Sequence, residues 1–188
     1  DAALLSEMRA IAEQHGVALT LIQDAAQRAE VAHWLAEAEA RQFADPAWRD
    51  ELADLLSDGV FGTSWLLSKM GALAVRFLAG GKGLSAVDQR HTREAPVLAV
   101  LTCIRDEPVS WLCAGQAYMD ICLLLARDGA AVQPMSALVE DREARARLAD
   151  ICDESGRHPV HPFRVGYEGA SEQRESPRRQ LDDMMMDA

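Results

Sequence analysis

The chemistry this sequence offers is the gripping of a ligand rather than attack by a side-chain nucleophile. Arg178 and Arg179 stand together in S-P-R-R-Q-L-D-D, and each guanidinium can present a bidentate fork to a phosphate. The same pair also suits a solvated tail whose charges meet nearby acids. Gln133-Pro134-Met135-Ser136 stands where a short apolar run gives way to a helical pattern. A turn there presents backbone N–H groups to a planar heterocycle, Pro134 fixes its φ, and Met135 offers a polarizable contact to an aromatic ring. It equally suits a plain strand-to-helix connection. His158 and His161 are expected as structural histidines in a loop entering a strand, because Pro159 and Pro162 keep them off one helical face. There is no G-x-S-x-G, and Cys103, Cys113, Cys122 and Cys152 form no C-x-x-C pair. They read as buried free thiols in a reducing cytoplasm. Any enzyme built from these residues leaves its hard chemistry to a cofactor.

The elements that must position these residues follow from composition and periodicity. The chain of 188 residues is 49% apolar and 26% charged, enough for one globular domain with a real core. Lys and Arg total 19 against 30 Asp and Glu, a net charge of −11, which gives no attraction for nucleic acid or anionic lipid. The most membrane-like stretch, residues 59–81, is interrupted by Lys69 and Arg76 and is expected as a buried or amphipathic helix. The chain opens on Asp1 without a Met, so processing or truncation is expected to have removed something.

Helices are expected over 4–15, from Asp24 to about Phe43, after an Asp45-Pro46 cap, over 65–78, over 111–127 and over 140–152. Strands are expected at 17–22, at the continuously apolar 95–103, at Ala130–Met135 and at 161–168, with Phe163, Val165 and Tyr167 on one face. The helix over 111–127 is apolar nearly all round, as in a core or an interface. Gly80-Gly81-Lys82-Gly83 is expected as a flexible loop without phosphate-cradling spacing, and Asp88–Arg93 as a solvated polar loop. The order of elements predicts an α+β fold, one helix-covered central mixed sheet, over residues 1–168. Residues 169–188 are expected as an extended C-terminal tail that cannot fold alone.

In order and spacing, A-P-V at 95–97, G-Q-A at 115–117, Gly129-Ala130-Ala131 leading into Gln133-Pro134-Met135, Arg164-x-Gly166-Tyr167 and Pro177-Arg178-Arg179 resemble the second half of the nitroreductase-like flavoproteins. The resemblance covers about residues 85–183. It implies a homodimer or pseudo-dimer whose C-terminal tail wraps the partner domain, with FMN in the groove between halves. It places Gln133, Pro134, Met135 and Ser136 beside the flavin ring, Arg178 and Arg179 at its phosphate, and Gln89, Arg90 and His91 near its pyrimidine edge. The implied activity is transfer of electrons from NAD(P)H to a small aromatic acceptor, a quinone or nitroaromatic, in the cytoplasm. One departure stands out: no Arg-x-Ser phosphate-binding motif occurs before residue 60. The chain looks most like the second unit of a double-domain subgroup in which the flavin pocket can be covered. The alternative it implies is a degenerate relative that binds or sequesters flavin without turnover.

Overall fold

A computed structural model describes residues 2–58, 69–71, 73–75, 82–153 and 156–167. The chain divides into two compact units, Asp1–Ala40 with Lys82–Gly169 and Arg41–Gly81 with Ala170–Ala188.

The first unit is built on a sheet whose central strand the sequence makes plain. Strand β2, Val97–Cys103, is buried at every residue, as its unbroken apolar run requires. Strand β1, Ala18–Ile22, and strand β4, His158–Gly166, flank it, and strand β3, Ala131–Pro134, lies beyond β4, giving the order β1-β2-β4-β3. Every pairing is antiparallel, so the expected mixed sheet is corrected. β2 and β3 run the same way, yet β4 inserts between them and opposes both.

Helices cover both faces. α1, Ala2–Gln14, buries Leu4, Met8 and Ala12, and α5, Pro108–Arg127, buries Ala114, Ala117, Ile121, Leu124 and Leu125. These pack with Leu19, Ala99, Leu101, Cys103, Phe163 and Val165 into one core cluster. On the opposite face, Ile22, Leu98 and Val100 meet α2, Ala25–Ala44, the short α6, Ala137–Glu140, and α7, Arg142–Cys152. The alternation of residues 98 to 101 between the clusters is the period of two that a strand imposes. By length and composition α5 is apolar enough to cross a membrane, but its inner face belongs to this core.

Several expectations need revision. α4, Lys82–Glu94, is a helix where a glycine loop and a solvated loop were expected; Gly80 and Gly81 lie outside the described residues. Only Thr92 is buried along its described side chains, so no apolar stripe announces it. The helix expected from Glu140 begins at Arg142, because Asp141 accepts a hydrogen bond from the Ala144 N–H at 2.8 Å and caps it. β4 begins at His158, so His158 and His161 are strand residues. It tolerates two prolines because β3 pairs only with Phe163–Gly166, so no strand N–H is required of Pro159 or Pro162 on that side, while their carbonyls accept from Arg145 Nε and Met135 N–H. A register shift between Leu101 and Thr102 adds a bulge there. Tyr167 lies beyond the strand and is 68% exposed.

In the second unit, α3, Pro46–Ser57, starts as its Asp-Pro pair predicts, with Asp45 Oδ1 accepting from Ala47 N at 2.9 Å. Phe43 and Trp48 meet edge to face at 4.8 Å. Residues 69–71 and 73–75 are helical, and the rest of the helix expected over 65–78 lies outside the described residues.

Candidate functional site

The turn at 133–136 is set by the end of β3. Gln133 and Pro134 pair with Arg164 and Phe163, and the Met135 N–H then donates to Pro162 O at 2.9 Å. The Met135 side chain is buried, and its sulfur receives the Thr92 hydroxyl at 3.8 Å. Met135 thus points into the core and anchors the turn to α4.

Gln133, Pro134 and Ser136 are exposed. Ser136 has φ −57° and makes no side-chain cap. Among the described residues, the Ser136 and Ala137 N–H groups form no hydrogen bond, whereas those of Leu138, Val139 and Glu140 all close back onto the turn. Two adjacent amides at the exposed Ser136 and the buried Ala137 thus have no acceptor among the described residues.

A cleft of about 500 Å³ adjoins the turn. His91 of α4, Gln133 of β3 and Arg164 of β4 line it, with Glu94, Pro96 and Tyr167. Arg164 is held by Asp88 of α4, donating to Oδ1 at 3.1 Å, so the guanidinium is oriented and neutralised before any ligand arrives. Of the three α4 residues expected near a ligand, His91 reaches the cleft. Arg90 instead pairs with Glu94 at 2.8 Å on the helix surface, and neither it nor Gln89 lines the cleft. Arg178 and Arg179 lie outside the described residues. Arg164 and Asp88 carried no expected role; the salt bridge joining residues 76 apart had no local sign.

The architecture is shared with solved structures. The FMN-dependent nitroreductase NfnB from Mycobacterium smegmatis, solved with NADPH, superposes with a TM-score of 0.64 at 14% identity, covering 100% of this chain and 89% of that one. This chain has the nitroreductase fold. The FMN and NADPH-dependent nitroreductase NfnB from sphigopyxis sp. strain HMH gives 0.58 at 18% identity, with 98% and 88% covered. A nitroreductase with bound FMN from Bacteroides fragilis gives 0.51 at 13%, with 99% and 87% covered. No family model matches the sequence, and no curated protein matches it. Within this nitroreductase fold, Gln133 at the end of β3 shares a cleft with the oriented Arg164.

Proposed function

We propose that this chain is an FMN-dependent oxidoreductase that carries electrons from NADPH to a small aromatic acceptor of quinone or nitroaromatic type. One observation carries the reading: on a nitroreductase fold, the 133–136 turn leaves the Ser136 and Ala137 N–H groups without a hydrogen-bond partner among the described residues. A flavin ring has acceptor atoms along one edge, so the donors present fit it. Bound FMN supplies the two-electron chemistry that no side chain here provides.

In this reading the chain's residues bind and orient. Ser136 and Ala137 donate to the ring, Met135 and Pro134 hold the turn, and Gln133 stands at the cleft with His91 and Arg164. Arg178 and Arg179 grip the phosphate. A second reading is flavin held without turnover.

The partner is a second domain of the same fold, as a homodimer or pseudo-dimer. Leu112, Met119 and Leu123 form one stripe on the outer face of α5 and are 71%, 59% and 63% exposed, an apolar strip that a monomer has little reason to show. We assign residues 1–168 to the domain and 169–188 to a tail reaching that partner. The four free thiols suit the reducing cytoplasm.

The test is the visible spectrum of the purified chain before and after FMN is added and free flavin removed. Flavin retained near one per chain, followed by NADPH oxidation with 1,4-benzoquinone, supports the enzyme. Retention without turnover supports the binder, and failure to retain flavin overturns both.

A further inference from the structure

A second cavity lies apart from the 133–136 turn, none of whose residues lines it. It measures about 320 Å³ and is walled by Trp111, Gly115, Tyr118, Val139, Val160 and His161, with Asp106 and Arg145 at its rim. The wall on α5 follows from helical spacing. Residues 111, 115 and 118 share one stripe, and seven residues span about 10.5 Å at the helical rise. Gly115 sits between the two aromatic rings.

That glycine has no packing reason. A Cβ built on Gly115 meets nothing within 4 Å, and Gly within a helix costs about 0.5–1 kcal/mol relative to Ala. Its missing side chain leaves a notch between two flat walls.

Both walls are fixed. The Trp111 indole, half exposed, donates to Asp106 Oδ1 at 2.8 Å. Asp106 is in turn gripped by both Arg145 Nη atoms at 2.8 and 2.9 Å, while Arg145 Nε donates to Pro159 O at 2.8 Å. The indole is thus held open to solvent rather than folded onto the core, and the rim charges cancel. On the other side, Tyr118 stands edge to face on His161 at 4.2 Å and on Phe163 at 5.1 Å. Burial lowers the His161 pKa, so this wall too is uncharged at neutral pH.

We infer that this cavity is a binding site for an uncharged, flat aromatic molecule of one or two fused rings, seated over Gly115 between Trp111 and the Tyr118–His161 pair. The volume lies at the small end of ligand pockets, aromatic walls favour a π-face or ring edge, and a neutralised rim gives no reward to charge. This inference does not depend on the flavin reading.

The probe is 2-naphthol, titrated against the full chain by equilibrium dialysis, with flavin present and with flavin removed. Saturable binding at one site per chain in both conditions is expected, with cyclohexanol failing to compete. Gly115→Leu fills the notch and favours the helix, so it should weaken binding by about tenfold or more while the melting temperature does not fall and sedimentation stays unchanged. Trp111→Leu, which removes a half-exposed wall, should weaken it likewise and serves should the first variant not fold. Undiminished binding in the folded variants overturns the inference. So does equal competition by cyclohexanol, binding only when flavin is present, which marks stacking on that ring, or a change of oligomeric state in Gly115→Leu, which assigns the notch to an interface.

Discussion

Replacing Ser136 by proline removes one backbone donor and little else. Ser136 has φ −57°, within the range the pyrrolidine ring imposes. Its N–H bonds to nothing among the described residues, so the fold loses no hydrogen bond. The residue before it, Met135, is non-helical, as a following proline prefers, and keeps its own N–H on Pro162 O. If Ser136 N–H donates to a flavin acceptor, the variant loses that bond and leaves the acceptor shielded without a partner. Together these cost about 1–3 kcal/mol, a rise in the FMN dissociation constant of about 5- to 150-fold.

Ser136→Ala is the matched control, since it removes the hydroxyl and retains the N–H. Quenching of FMN fluorescence on titration gives both affinities, and thermal unfolding without flavin reports whether either variant has lost its fold. The expected pattern is wild-type affinity for Ala, weakened affinity for Pro, and near-equal melting temperatures of the flavin-free proteins. Unchanged FMN affinity in a fully folded Ser136→Pro protein refutes the assignment of that amide as a flavin donor.

Three further outcomes follow. Arg178→Ala and Arg179→Ala should each weaken FMN binding by roughly 1.5–3 kcal/mol through a lost charge-assisted contact; unchanged affinity in dialysis returns them to a solvated tail. Leu112→Glu and Leu123→Glu place carboxylates at positions 71% and 63% exposed, so the chain should sediment as a folded monomer. A wild type that is already monomeric removes the basis for that interface. Burial holds His161 below its ordinary pKa, so the fold favours the neutral ring. Its contribution is intact above about pH 6.5, the unfolded value, and is lost as pH falls through the lower folded value. Wild-type melting temperature should therefore drop more steeply with acid below that pH than that of His161→Phe, and parallel curves contradict this.

What the sequence announces is what local chemistry decides. An unbroken apolar run at 97–103 became the fully buried β2, and Asp45-Pro46 became a capped helix start, because each signal lies within a few residues of its effect. α4 stayed hidden because its evident stabilisation is a surface Arg90–Glu94 pair at helical spacing and its described side chains bury only Thr92, so no hydrophobic period marks it. β4 begins three residues before the expected strand at 161–168, and takes in Pro159 as well as Pro162. They are admitted only because β3 ends before reaching them, a fact of sheet order that no local window contains.

The candidate site divides the same way. Gln133–Ser136 is contiguous and was legible as a turn, whereas the burial of the Met135 sulfur depended on Thr92 of a distant helix. The cleft draws on α4, β3 and β4, and its arginine is oriented across 76 residues. A side chain's identity therefore proposed a contact that packing reassigned, while the backbone donors beside it required only that the turn form. This is why Ser136 N–H, rather than the Met135 sulfur, is the sharper point at which to test flavin binding: its availability follows from turn geometry and from the absence of a partner among the described residues, and neither depends on how the core beneath is packed.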